Sequence, residues 1–127
     1  MAMTLDEMTN QDVLDTRDVI ERIKELEDLQ EDPELTDDER EELASEYSTL
    51  RQFEDEASGY TPDWESGEGM IRDSYFIEYA RELAEDIGAI AENGGWPTYC
   101  IDWDWAAREL QMDYSSVELD GVTYWTR

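Results

Sequence analysis

Histidine is absent from this chain, lysine occurs once as Lys24, and cysteine once as Cys100. Each shortage removes a class of chemistry. Without histidine the chain lacks the usual general base near neutral pH and the commonest transition-metal ligand. One cysteine can make neither an intramolecular disulfide nor a structural zinc site, and it suits a reducing cytoplasm. No apolar run approaches the roughly 20 residues that span a bilayer. The opening Met-Ala-Met-Thr-Leu-Asp-Glu lacks the basic and apolar regions of a signal peptide. There is no Walker loop, and the seven glycines are too scattered for a dinucleotide-binding turn. Asp102-Trp103-Asp104-Trp105 with Asp113 has the outline of a calcium loop. Ala106 and Ala107, however, stand where a ligand and a glycine belong. The chain reads as non-enzymatic, with no catalytic residue, cofactor or metal.

What the chain has is acid. Thirty-six Asp and Glu stand against nine Lys and Arg, a net charge of -27 in 127 residues. Self-repulsion of that size opposes a compact state. Duplex DNA carries one negative charge per ~1.7 Å of axis, so this excess corresponds to roughly 45 Å of duplex, on the order of 13 base pairs. Residues 1–57 hold 21 acids and five bases, and residues 58–127 hold 15 and four, so the acid is not a tail. At 39% hydrophobic and 11% aromatic, the chain can build a core, unlike an acidic disordered segment. Direct binding to nucleic acid or to an anionic membrane is electrostatically disfavoured.

The expected fold class is α+β, mostly helical: an N-terminal αα-hairpin, two further helices and a C-terminal β-hairpin. Val13, Thr16, Ile20, Ile23 and Leu26 give a helical stripe over 12–30, ended by Pro33. Thr36 to Glu39 reads as a capping box, followed by a stripe of Leu43, Tyr47, Leu50 and Ala57. The short link 31–35 makes these helices antiparallel neighbours. Residues 58–69 are rich in Gly, Ser, Pro and Asp and read as a linker or long loop. The expected organisation is an acidic helical hairpin over 1–57, a linker or loop over 58–70 and an α+β module over 71–127. The alternative is one shared domain. Under the modular reading, fragment 71–127 melts cooperatively by itself.

Within the C-terminal half, Phe76, Ala80, Leu83, Ala84 and Ile87 share a face of a helix over 73–87, with Gly88 at its left-handed end. Asn93 to Pro97 reads as a turn. Asp102 is the expected N-cap of a short helix, with Ile101 and Ala106 as a staple and Ala107 and Leu110 on its face. Asp120-Gly121 between alternating apolar residues predicts a type I′ hairpin, which needs a further strand or a helix to pack against. Trp103 and Trp105, two apart on a helix, cannot both point inward. Cys100 is expected to be a small buried residue.

The candidate partner-binding residues are ordered acids. Asp18, Glu21, Glu25, Asp28 and Asp32 recur at spacings of three and four, within one sector opposite Ile20 and Ile23. Glu78, Glu82 and Glu85 repeat the pattern on the third helix. Like charges so spaced cost roughly 0.2–0.5 kcal/mol per pair, so charge reversal at Glu21, Glu25 and Asp28 is expected to leave folding intact. The alternative is a solvated helix face, or a surface made acidic for solubility or molar salt.

The run from Phe76 to Gly88, followed by Tyr99-Cys-Ile-Asp-Trp-Asp-Trp-Ala-Ala-Arg-Glu-Leu110 and Asp113-Tyr114, resembles the closing portion of ArdA-type antirestriction proteins. That family carries an acidic helix and then a Y-I-D-[YW]-E-A-x-A-R-[DE]-L segment. Here Cys100 is an extra residue after the tyrosine, and Asp104-Trp105 stands in place of Glu-Ala. The likeness covers about fifty residues, from 76 onward. It implies an acidic DNA mimic from a phage or mobile element, acting in the host cytoplasm. The resemblance implies a restriction-modification enzyme with a basic DNA groove as partner, and a homodimer; the acidity alone places a CRISPR-type enzyme beside it as a target class. The rival reading is an acidic adaptor or regulator that mimics nothing.

Overall fold

Short polar side chains decide where the helices begin. A computed structural model describes residues 2–91 and 94–127. The predicted turn at 93–97 therefore lies partly outside the described residues, at Asn93. Helix α1 (Leu5–Met8) opens with a full capping box between Thr4 and Glu7. Helix α2 (Thr16–Leu29) is capped by Asp15, which accepts the Arg17 N–H at 2.9 Å. Helix α3 (Asp37–Ala57) is capped by Thr36. The Thr36 hydroxyl accepts the Glu39 N–H at 3.2 Å and donates to the Glu39 carboxylate at 3.1 Å. Glu39 thus holds the hydroxyl rather than the Thr36 backbone, and only half of the expected box forms. Helix α4 (Phe76–Asp86) follows a single 3-10 turn. It ends at Gly88, φ 76°, where Ala89 N–H reaches Ala84 O and Gly88 N–H reaches Glu85 O. Asp102 caps α5 (Trp103–Gln111) by accepting the Trp105 N–H.

Strands β1 (Val13–Asp15), β2 (Gly69–Arg72), β3 (Ser115–Leu119) and β4 (Val122–Thr126) form one antiparallel sheet, ordered β1-β2-β4-β3. Asp120 and Gly121 both take positive φ, as a type I′ turn requires, and the hairpin pairs with β2 as it needed to. The fold is α+β and mostly helical. The helix expected over 12–30 begins only at Thr16. Asp15 caps it, and the preceding residues pair with β2 instead. Val13 is accordingly 46% exposed, and Val19 takes its place in the core.

Alternation along the strands sends side chains to two cores. Leu14, Met70, Val117 and Tyr124 face α1, α2 and α3, where thirteen buried residues pack, including Val19, Leu26, Leu50 and Phe53. Ile71 and Trp125 face α4 and α5, where the buried set is Ile71, Phe76, Ala80 and Ala107. The sheet thus lies between two helical layers. Arg40 reaches back to Gln30 and Asp32 while Arg22 reaches Glu46, so α2 and α3 run antiparallel.

The segment 58–70 is threaded into the larger core. Trp64 is buried and lies 6.1 Å from the Phe53 ring. The buried Thr16 hydroxyl donates to Trp64 O at 2.8 Å and accepts the Glu68 N–H at 2.9 Å. Tyr124 OH donates to Met8 O at 2.7 Å, tying the first helix to the last strand. Strand β2 itself crosses the boundary drawn at 70/71. Two expected core residues are outside: Ile87 is 69% exposed, beyond the last turn of α4, and Cys100 is exposed in the 3-10 turn Thr98–Cys100.

Candidate functional site: acidic faces on two helical layers

At 100° per residue, Asp18, Glu21, Glu25 and Asp28 fall opposite Val19, Ile23 and Leu26, whose burial fixes the orientation of α2. The four acids differ in their surroundings. Glu21 and Asp28 are exposed. Asp18 is half-buried, and desolvation, then the charges of Asp15 and Glu21, raises its pKa. Glu25 is committed to the fold. It accepts the Ala2 N–H at 2.8 Å and Arg22 Nη1 at 2.7 Å, and these contacts lower its pKa, the Ala2 bond most. Arg22 is buried and also forks onto Glu46 at 2.7 and 2.9 Å. Glu46 in turn accepts the Leu5 N–H. This bridge clamps the N-terminal segment to α2 and α3.

Asp32 stands apart from the α2 stripe. The helix ends at Leu29 with Gln30 as C-cap. Asp32 then shapes the turn, accepting the Glu34 N–H with its carboxylate and Arg40 Nη2 with its carbonyl. On α4, Glu78 and Glu82 are exposed and Glu85 is half-buried. Glu82 accepts the Tyr75 hydroxyl at 2.8 Å, and Glu85 lies 3.9 Å from Arg81. Because α2 and α4 cover opposite faces of the sheet, the two predicted stripes do not merge into one surface.

Helix α3 packs antiparallel to α2 in the same layer and adds acids of its own. Helix α3 carries nine acids and two arginines in 21 residues. Asp37, Asp38, Glu41, Glu42, Asp55 and Glu56 are all exposed. Their signal in the sequence is density, nine acids in 21 residues. Among the described residues, ion pairs engage Arg17, Arg22, Arg51 and Arg81 and leave most of this acid uncompensated.

Among the described residues no group of three or more His, Cys, Asp or Glu is placed to hold a metal ion. No helix among them is long and apolar enough to cross a membrane. No protein-family model, curated protein or solved structure matches the chain.

Proposed function

We propose that this protein is an anti-defence inhibitor that presents its acidic α2–α3 layer to a DNA-binding enzyme in place of DNA. The observation that carries the reading is charge on an ordered scaffold. Of the nine acids on α3, about 31 Å long at 1.5 Å per residue, Glu46 is held by Arg22 and Glu54 by Arg51, which leaves seven exposed, one carboxylate per about 4.5 Å. Phosphates along one DNA strand are spaced by about 3.4 Å of axis. Glu21 and Asp28 of the neighbouring helix widen the surface. A Lys/Arg-lined channel would attract such a layer over long range and meet carboxylates where it expects phosphates. The resemblance of residues 76–127 to ArdA-type proteins supports a restriction-modification target in a cell hosting a phage or mobile element, and the charge fits a CRISPR-type enzyme equally. The chemistry calls for no catalysis and no direct contact with nucleic acid.

The test is competition. Purified restriction-modification and CRISPR effector enzymes are loaded with a fluorescent duplex and titrated with the protein. Release of the duplex from one of them, lost when Glu21, Asp28, Glu41 and Glu42 are reversed to Lys, is the expected result. Association should slow as salt is raised, with dissociation changing less. An enzyme that holds duplex and protein together at undiminished affinities would rule out mimicry. So would a reversed variant that inhibits as well as the original.

A further inference from the structure

Large apolar side chains are left exposed unevenly. Helices α2 and α3 leave only Leu29 in this state, at 38%, whereas α4 through α5 exposes Trp96 at 76%, Tyr99 at 72% and Trp105 at 60%, along with Met112. Scattered single residues would need no explanation, but Trp105 is held in position rather than merely left over. Its backbone N–H is bound by Asp102, and its indole N–H donates to Glu109 Oε1 at 2.9 Å, one turn on. The ring lies against a shallow depression lined by Ile101, Asp102, Trp105, Ala106 and Glu109.

We propose that this depression receives an arginine side chain from a basic protein partner. An indole face is electron-rich and attracts cations, the guanidinium most readily because it is planar and weakly hydrated. Asp102 and Glu109 flank the ring, and each uses one oxygen in the bonds above, so the other remains for the guanidinium fork. Ile101 and Ala106 offer an apolar seat for the three-carbon stem. Charge selects the class of partner. Nucleic acid is repelled by the carboxylates, and a second copy would bring another -27 against the first. A protein rich in arginine is drawn to this chain from a distance and finds here an aromatic anchor. Nothing about this surface requires the α2–α3 layer to imitate DNA, because α5 lies across the sheet from it.

The full chain, labelled with nitrogen-15, offers five indole N–H resonances. They are titrated with acetyl-Leu-Arg-Leu-amide and with the same peptide carrying citrulline, the neutral isostere of arginine. The arginine peptide should shift the Trp105 resonance saturably while the citrulline peptide leaves it in place. With binding followed by the backbone amides of α5, which survive the substitution, Trp105→Ala should remove saturable binding, and Glu109→Gln should weaken it by about two- to fivefold, the size of an exposed cation–π or ion contact. Trp105 is exposed, so circular dichroism of both variants should match the parent. If Trp105→Ala nevertheless unfolds the chain, Trp105→Phe keeps a ring without the indole anchor and should bind more weakly while folded. Equal response to citrulline would make the depression merely apolar and overturn the proposal. Binding untouched by Trp105→Ala would reduce it to a diffuse ion atmosphere and overturn the proposal equally. Concentration-dependent shifts without peptide, with a dimer in sedimentation, would overturn it by naming a second copy as the occupant.

Discussion

On one face of the sheet, thirteen buried residues tie α1, α2 and α3 to the strands; on the other, four do so for α4 and α5. The first layer is acidic outside and nearly free of exposed large apolar groups. The second keeps its aromatics at the surface, with Trp96, Tyr99 and Trp105 all more than half exposed. The layer with the larger core is thus also the one that carries the denser charge. Repulsion among exposed carboxylates at helical spacing costs tenths of a kcal/mol per pair, whereas each fully buried large side chain contributes about 1.5–3 kcal/mol. A helix pair can therefore hold an acidic outer face if its inner face is well buried.

Removing the first layer should have the largest effect on the chain. Fragment 71–127 retains β3, β4 and part of β2 but loses every helix that covers Val117, Leu119 and Tyr124. It should be unfolded in isolation, with no cooperative transition by circular dichroism, while the full chain melts in one step. A cooperative melt of the fragment would restore the modular reading in which the C-terminal half is a core of its own.

Point changes make the same contrast on a smaller scale. Phe53 packs against Trp64 and Tyr124 at 6.1 and 6.4 Å, in the larger core. Phe53→Ala should cost about 3–5 kcal/mol in chemical denaturation. Phe76 meets Tyr79, Tyr114 and Trp125 in the smaller one. Phe76→Ala should lose less, because its surroundings are half-exposed and can collapse. Its effect should appear as faster amide exchange confined to α4 and α5. Equal and global destabilisation by both would mean that the smaller core never opens by itself ahead of the one-step melt.

How far this contrast is readable from the sequence follows from which signals are local. Helix α3, the Gly88 end of α4, the Asp102 cap and the Asp120-Gly121 turn are legible because capping and positive φ depend on a few neighbouring residues. Strands β1 and β2 are not. Three and four residues long, they are strands only because Leu14 meets Met70 and Ile71 meets Trp125, pairings set far along the chain. Helical periodicity absorbs Val13 into α2, and turn-forming residues hide β2 inside an expected linker. The same distance hides the fate of the acids. Glu25 reads as one more member of a stripe until Arg22 and Ala2 converge on it. Asp18, Glu21 and Asp28 do lie on the outer side of α2.

That convergence separates two kinds of arginine in the acidic layer. The Arg22 side chain is 9% exposed and its partners Glu25 and Glu46 are 26% and 17% exposed. Arg17 and Asp15 are 66% and 37% exposed. Arg22→Met should cost about 1–3 kcal/mol, below the 3–5 kcal/mol of a fully buried pair because both carboxylates still reach water. Arg17→Ala should cost less than about 1 kcal/mol. For the same reason Glu25→Lys should destabilise while Glu21→Lys and Asp28→Lys should not, so Glu25 is unsuited to a test of binding. Denaturation midpoints of the five variants measure this, and an Arg22→Met midpoint equal to the parent's would make the clamp incidental.

The smallest effect concerns pH, and it belongs to the α2 side. Burial and like charges raise the pKa of Asp18, so the folded state takes up a proton there before the unfolded chain does. Stability from this group increases as pH falls toward its raised value and declines as pH rises through it. Asp15 and Glu25 work the other way. The hydrogen bond from Arg17 lowers Asp15, and the Ala2 N–H followed by Arg22 lowers Glu25, so the contribution of each is fully present above its ordinary value of 3.8 or 4.5 and is lost as pH falls through the lowered one. Relief of the net charge reinforces the first trend. The melting temperature at low ionic strength should therefore climb as pH falls from neutral toward the raised value of Asp18 and then drop in stronger acid. Asp18→Asn should flatten the climb without moving the acid limb. A melting temperature that falls steadily from pH 7 downward would mean that the favourable contacts of Asp15 and Glu25 outweigh the repulsion throughout, and that the acidic layer is less strained than its charge suggests.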